Sequence, residues 1–380
     1  MTEFDERSSK AGNAYASSSK LRDHRTELAG HTPGTFDKHV HLLREALHAL
    51  GGFFLLLDES LDVSDRSRDC GSYCDPRIRQ QRHRFAETGF MDVHAGLSLR
   101  GFASAEANVL FPTVAHGALT FEAHAEQLHA PTVAFFGAGN DSPRSQRGTF
   151  GYDRTTAGGS VRVQATTHAA VGGSLDWLQA RADGQSLHTP QMVMDPAYAR
   201  AGAFAELDTR DAPGYTRNGT LARIEWSNYD QVNGSAFAFR RVDAEVQQYI
   251  PLARERWVFA FRGVASTTDT SRGADVPYFL MPELGGSHLL RGYSPWRFRD
   301  RNRLLLSGEY RWPAGPFVDM AIFMDAGKVT AGRADLNLRG LRTSQGIGVR
   351  IHTPNATVTR IEVARSREGT SLIFAFSPSF

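Results

Sequence analysis

Apolar and polar residues alternate along the chain from residue 89 onward. In segment 303–312, Leu304, Leu306, Tyr310 and Trp312 fall on one face of an extended chain, while the other face is mostly charged or polar. Because successive side chains of a β-strand point to opposite faces, this two-residue period predicts strands with one apolar side. The same alternation recurs in segments 89–99, 241–250, 317–328, 342–352 and 370–380.

The charges on the polar faces indicate which side of these strands points inward. Opposite charges occupy neighbouring positions, namely Arg223 with Glu225, Arg241 with Asp243 and Glu245, and Glu309 with Arg311. Such charges can pair across strands in a wet lumen. Aromatic residues at strand ends on the apolar face are typical of interfacial girdles, and here they are Trp226, Trp257, Tyr310 and Trp312. The pattern predicts a transmembrane antiparallel β-barrel, with a soluble β-sandwich of this length as the alternative.

The alternation and the turn residues between segments predict sixteen strands, and fourteen fit almost as well. An even number is required for an antiparallel barrel whose two ends lie on the same side of the membrane. The predicted strands lie near 89–99, 101–112, 116–128, 130–137, 147–154, 158–168, 170–180, 201–210, 218–228, 237–250, 255–266, 302–312, 316–326, 342–352, 356–365 and 370–380.

Composition and charge narrow the class of protein. The 43 Lys and Arg residues nearly balance the 41 Asp and Glu residues, so the net charge of +2 gives no basis for nucleic-acid binding. No stretch approaches the roughly 20 apolar residues of a transmembrane helix, which excludes a helical membrane protein. The mean hydropathy of −0.36 is compatible with a barrel, because the apolar and polar residues that alternate in barrel strands average to a hydropathy typical of soluble proteins.

Residues 1–86 differ from the rest of the chain and predict a poorly ordered region. Segment 41–57 contains an apolar run that is too short to span a bilayer as a helix. Two interpretations stay open for it, the apolar part of a secretory signal or an amphipathic helix that plugs a pore. Cys70 and Cys74 are the only cysteines, and they form either a short disulfide or two free thiols. Residues 87–380 form the predicted barrel.

The connection after residue 266 is too long and too apolar for an ordinary loop. It contains the run Leu289-Leu290-Arg291-Gly292-Tyr293. Further along the chain follow GEYRWP at 308–313 and FMDAGKV at 323–329, while FFGAGNDS at 135–142 precedes the loop. In this order, and with the final Phe380, these runs resemble the outer-membrane barrel superfamily that includes BamA, TamA and the two-partner secretion transporters.

The resemblance implies a role for the long loop. The loop is expected to be an extracellular loop that folds into the lumen, where Arg291 contacts the barrel wall and Gly292 and Tyr293 complete its motif. Asp325 and Gly327 correspond to the wall motif Phe-x-Asp-x-Gly, and alternation independently places Asp325 on the lumenal face of its strand. Glu309, lumenal on the adjacent strand, is a second candidate acceptor. Charge-assisted, bidentate pairing with a carboxylate suits the planar guanidinium group. The alternative is a solvated loop arginine beside ordinary lumen charges.

The segment 371–380, SLIFAFSPSF, resembles the carboxy-terminal signal of bacterial outer-membrane barrels. Alternation places Phe374, Phe376 and Phe380 on one face. An apolar edge of this kind would promote aggregation in a soluble protein, which favours closure against the strand near Gly89. In the family, this seam between the first and last strands can open. An edge strand with aromatic packing is the alternative.

One departure from the family limits what the resemblance implies. Residues 1–86 do not resemble the POTRA domains that precede the barrel in relatives that insert or secrete proteins. We expect a bacterial outer-membrane barrel of the type without POTRA domains, which translocates or inserts protein or lipid. A passive or structural pore is the alternative.

The expected partners are outer-membrane lipid, client polypeptides and the barrel assembly machinery that inserts the chain itself. We expect no nucleic-acid partner, cofactor, metal or enzymatic activity, because the chain has no G-x-S-x-G, H-E-x-x-H or phosphate-binding motif.

Overall fold

The computed structural model describes residues 79–84, 89–114, 118–184, 193–252 and 257–380. The predictions for segment 41–57 and for Cys70 and Cys74 lie outside these residues. The described elements are almost all strands, apart from 3₁₀ turns at Arg144–Gln146, Tyr278–Leu280 and Arg333–Asp335. The strands are β1 Arg79–Arg84, β2 Phe90–Leu97, β3 Ala103–Val114, β4 Leu119–Phe135, β5 Gly148–Gln164, β6 Ala169–Gly184, β7 Ala197–Asp208, β8 Gly219–Gln231, β9 Phe239–Leu252, β10 Trp257–Thr270, β11 Glu283–Leu284, β12 Phe298–Arg299, β13 Asn302–Pro313, β14 Val318–Thr330, β15 Arg342–His352, β16 Thr357–Ser366 and β17 Gly369–Ala375.

Fifteen of these strands form one sheet in chain order, and β11 and β12 form a separate two-stranded pair. Every neighbouring pair in the large sheet is antiparallel. The edges of the sheet are β1 and β17. The predicted all-β, antiparallel fold is confirmed.

The strand boundaries differ from the predicted ones in three places. The predicted segments 116–128 and 130–137 are one strand, β4, and 147–154 and 158–168 are also one strand, β5. Strand β1 lies within the region 1–86 that was predicted to be poorly ordered, and it pairs with β2. The described sheet therefore has fifteen strands where the sequence predicted sixteen.

Strand β6, predicted to end at residue 180, shows how the hydropathy pattern changes along a long strand. In its first half, Leu175 and Trp177 are exposed, whereas Asp176 is buried. In its second half, the buried face continues with Leu178, Ala180 and Ala182. The inner face thus changes from polar to apolar partway along the strand, and the alternation of hydropathy reverses although the backbone stays extended.

The two halves of the long strands have different surroundings. The exposed apolar half forms an outer belt that suits lipid, and the belt continues on β10 with Trp257, Phe259 and Phe261. In the other half of the long strands, the buried faces of β4 to β9 enclose an apolar cluster that includes Phe135, Phe150 and Tyr198. Long-loop residues from Val276 to Trp296 complete this cluster, and the loop covers the sheet interior at that end.

Candidate functional site

The long loop, residues 271–301, connects β10 and β13 and lies against the inner face of the sheet. Its buried side chains Leu284, Leu290 and Phe298 pack with wall residues Leu305 and Val329. The β11 and β12 strands within the loop pair with each other and fix its shape. The loop is therefore a packed part of the sheet interior rather than a solvated connection.

Arg291 forms a bidentate contact with Asp325 of β14. Its Nε donates to Asp325 Oδ2 at 2.8 Å, and its Nη2 donates to Oδ1 at 2.7 Å. The backbone N–H of Arg291 also donates to Oδ2, at 3.1 Å. Both side chains are almost fully buried, with 2% and 0% of their surfaces exposed. This geometry fixes both the position and the orientation of the loop arginine.

Glu309 of β13 is a second acceptor for Arg291. Arg291 Nη1 donates to Glu309 Oε1 at 2.6 Å. The same carboxylate accepts from Arg311 Nε at 2.8 Å and from Arg350 Nη2 at 2.8 Å. Glu309 therefore joins the loop arginine to two wall arginines.

A third carboxylate, Glu362 of β16, extends this cluster. It accepts from Arg291 Nη1 at 3.3 Å, from Arg350 Nη2 at 3.2 Å and from Arg360 Nη1 at 2.5 Å. We call Arg291, Arg311, Arg350, Arg360, Asp325, Glu309 and Glu362 the arginine–carboxylate cluster. Its four cations and three anions are all buried, so each charge depends on the others for compensation.

The aromatic ring of Phe323 packs against the guanidinium group of the loop arginine. The Arg291 guanidinium lies 3.5 Å from the centre of the Phe323 ring, which is a close cation–π contact. Gly346 on the neighbouring strand leaves space for this ring, because a Cβ atom there would lie 2.3 Å from Phe323. The absence of a side chain at Gly346 therefore allows the Phe323 ring to occupy the position in which it contacts Arg291.

The other predicted motif residues also lie at the contact between loop and wall. Gly292 has a φ of +84°, a conformation that L side chains rarely adopt, and its carbonyl accepts from Ser366 Oγ at 2.7 Å. Tyr293 is buried and packs against Phe298, with ring centres 5.2 Å apart. Gly327 on the wall allows Leu284 of the loop to approach, since an added Cβ would be 3.0 Å from that side chain.

Electrostatics keep the loop arginine charged. Burial disfavours the charged form of Arg291 and by itself would lower its pKa. The nearby carboxylates of Asp325, Glu362 and Glu309 have a larger effect, and they raise the pKa of Arg291 well above its ordinary value. The pKa of His288, three residues earlier, shifts in the opposite direction. Burial and the nearby Arg360 and Arg262 cations lower its pKa well below the ordinary value, so its imidazole is neutral.

The segment after β17 differs from the prediction. Phe374 lies on the outer face as predicted from alternation, and Phe376 is also exposed, at 38%. Phe380 does not share that face. The chain leaves the sheet after Ala375, and the Phe380 ring lies 6.2 Å from buried Tyr249 and over Arg311 of the inner face. Alternation could not place Phe380, because its period holds only while the chain remains a strand.

The sequence did not identify several residues of the site. Glu362, Arg350, Arg360 and Phe323 all contribute to the surroundings of Arg291, and only Asp325 and Glu309 were named in advance as its acceptors. A signal for Arg350 existed, because alternation placed it on the polar face of its strand. Nothing in the sequence indicated that Glu362, two strands from Asp325, would reach the same guanidinium.

Within the described ranges, no group of three or more His, Cys, Asp and Glu side chains could hold a metal ion. Among the same residues, no helix has the length and apolarity needed to cross a membrane.

Comparison with known proteins places this site in a family. A family model described as the Omp85 superfamily domain matches residues 132–377, a range that includes the long loop and the whole arginine–carboxylate cluster. The chain belongs to the Omp85 superfamily. The resemblance inferred from the motifs is therefore confirmed, and membership indicates a bacterial outer-membrane protein.

Two solved structures are similar to this chain. BamA from Haemophilus ducreyi, in a form lacking POTRA domains 1–3, aligns with a TM-score of 0.60 and 14% sequence identity. The alignment covers 75% of this chain and 62% of the BamA chain, so the chain spans less than two thirds of that structure. CdiB from Acinetobacter baumannii aligns with 12% identity, a TM-score of 0.47, and coverage of 75% and 52%. The search of curated proteins found no match. The likeness to BamA confirms the predicted barrel fold.

Proposed function

We propose that this chain is an outer-membrane barrel that translocates or inserts polypeptide, or lipid, through the seam between the edge strands β1 and β17. The observation that supports this function is the burial of the loop motif in an Omp85 superfamily barrel, with Arg291 bound to Asp325 and Glu309. The proposed activity requires no catalysis and no cofactor. Its partners are membrane lipid and client polypeptides, and the barrel assembly machinery inserts the chain itself.

A reconstitution experiment tests this proposal. The purified barrel is incorporated into liposomes, and the folding rate of a urea-denatured outer-membrane barrel is measured by its heat-modifiable gel mobility. We expect faster folding than in empty liposomes of the same lipid composition. Arg291→Met should reduce the acceleration, because it removes the charged side-chain contacts between loop and wall.

A matched variant controls for loss of a positive charge. Arg333 forms an ion pair with Asp269 at the surface, with both side chains more than half exposed, so Arg333→Met should keep the full acceleration. Absence of acceleration by the unmodified barrel, together with steady conductance in planar bilayers, would contradict the proposal and favour a passive pore.

A further inference from the structure

The connection between β7 and β8, residues 209–218, makes contacts far from the two strands that it joins. Tyr215 in this loop reaches Asp319 at the start of β14 and His352 at the end of β15. Three strands, β9, β10 and β13, separate β8 from β14 in the sheet. At a spacing of about 4.8 Å between strands, the path along the sheet is roughly 19 Å. The loop therefore crosses the concave side of the sheet rather than following its rim.

The side chain of Tyr215 is bound on several sides. Its hydroxyl donates to Asp319 Oδ2 at 2.6 Å and accepts from Arg217 Nη1 at 2.6 Å. Its ring stacks on the His352 ring, with centres 4.0 Å apart and planes inclined by 10°. Tyr215, Asp319 and His352 are all buried. Burial and the Asp319 carboxylate raise the pKa of Tyr215, so the hydroxyl keeps the proton that it donates.

The backbone of the loop is attached to the turn between β15 and β16. Gly214 forms a parallel bridge with Ala356, and its carbonyl accepts from the Thr357 N–H at 2.7 Å. The approach is close enough to require glycine, because a Cβ atom at position 214 would lie 2.6 Å from the Asn355 carbonyl oxygen. The loop is thus fastened by two independent contacts, one through a side chain and one through the backbone.

The loop is also connected to the segment that follows β17. Arg210 donates to Gln247 Oε1 at 3.4 Å, and the Tyr249 hydroxyl lies 2.9 Å from both that oxygen and the Phe380 carbonyl. Ser379 in the same segment accepts from Arg350 of the arginine–carboxylate cluster at 3.1 Å. Ser379 and Phe380 therefore lie in the sheet interior between the loop and the cluster.

We propose that residues 209–218 form a strap that closes the lumen at the end opposite the long loop and keeps Ser379 and Phe380 inside. Because the family resemblance orients the long loop toward the cell exterior, this end faces the periplasm. A polypeptide or solute enters the lumen from the periplasm only after the strap leaves Asp319 and His352. The strap and the long loop then close the lumen at its two opposite ends.

Thiol labelling tests the strap directly. Ser379 is 2% exposed, and Ser379→Cys in a Cys70→Ser, Cys74→Ser background places one thiol beneath the strap. The rate of reaction with a hydrophilic maleimide is measured on the full chain folded in detergent micelles. We expect Tyr215→Ala to increase this rate about tenfold or more. Local opening of the strap in the starting protein must break the hydrogen bond from Tyr215 to the Asp319 carboxylate, and opening in the variant does not. Gly214→Val, which disrupts the backbone contact, should also increase it.

A matched variant distinguishes strap release from general loosening. Tyr198 is also buried and lies at the far end of β7, so Tyr198→Ala removes a tyrosine without touching the strap. We expect the labelling rate to stay unchanged in this variant. Heat-modifiable gel mobility verifies that each variant is folded. If Tyr215→Ala does not fold, Tyr215→Phe keeps the stacking ring and should give a smaller increase. Equal labelling rates in the folded strap variants and the starting protein would overturn the proposal, as would an equal increase in Tyr198→Ala.

Discussion

Replacing the loop arginine by an apolar side chain of similar length, Arg291→Met, should destabilise the barrel strongly. Within the described residues, Arg291 supplies every hydrogen bond that the Asp325 carboxylate accepts. Asp325 is fully buried, and only the bond from the backbone N–H of residue 291 would survive the substitution. The variant therefore leaves a nearly uncompensated charge inside the sheet.

The expected loss follows from that geometry. Removal of one partner from a buried ion pair typically costs about 3–5 kcal/mol. Glu309 and Glu362 lose one donor each but keep contacts with Arg350, so most of the loss arises at Asp325. The double variant Arg291→Met, Asp325→Leu removes both charges, and it should recover most of the lost stability, to within about 2 kcal/mol of the starting protein.

Urea titration of the folded fraction, followed by heat-modifiable gel mobility in detergent micelles, measures these differences. With a urea m-value of about 3 kcal/mol per molar, Arg291→Met should lower the midpoint by about 1 M or more. The exposed-pair variant Arg333→Met is the control, and it should change the free energy of unfolding by less than about 1 kcal/mol. A loss of less than about 1 kcal/mol in Arg291→Met would refute the reasoning. So would equal losses in the single and double variants, because the Asp325 charge would then be compensated elsewhere.

Two further predictions concern neighbours of the loop arginine. Gly346→Ala should destabilise the barrel by about 1–3 kcal/mol in the same titration, because the added methyl group would displace Phe323 from beneath Arg291. Gly263→Ala on the outer face is its control, since its methyl group would lie 3.8 Å from the nearest side-chain atom, and equal losses in both variants would contradict the packing argument. His288 has a lowered pKa in the folded state, so below its ordinary pKa of 6.5 the unfolded chain takes up a proton that the folded chain does not. Stability should therefore fall on acidification from pH 7.5 to 5.5, by up to about 1.4 kcal/mol per pH unit below 6.5, and His288→Gln should remove this component. Parallel pH dependences of the two proteins would contradict the assignment of a neutral imidazole.

The acceptors of the loop arginine illustrate what a sequence can and cannot reveal about this site. Asp325 was identifiable because it belongs to a local wall motif and because alternation assigned it to the inner face. Glu362 and Arg350 carry no such local signal. They reach Arg291 only because the sheet curves and the loop folds across several strands, and these long-range contacts leave no spacing pattern in the chain.

The strap is a similar case. Residues 209–218 are an ordinary polar connection in the sequence, with Pro213 and Gly214 typical of a turn. Their contacts with Asp319 and His352 depend on the curvature that brings distant strand ends together. The close approach at Gly214 is visible only when the backbone of the turn between β15 and β16 is in place.

The alternation in the amino-acid sequence by itself determined that most of residues 89–380 form β-strands, because a two-residue hydropathy period is compatible with an extended backbone and little else. It also determined the loop motif and its main acceptor. Tertiary structure decided whether the inner face of a strand is polar or apolar at each position along the strand. In β6 the outer face is apolar at Leu175 and Trp177, where it forms part of the belt, and polar at Gln179 and Arg181, beyond it. The period is a property of the backbone, whereas the direction of burial depends on what surrounds each half of the strand.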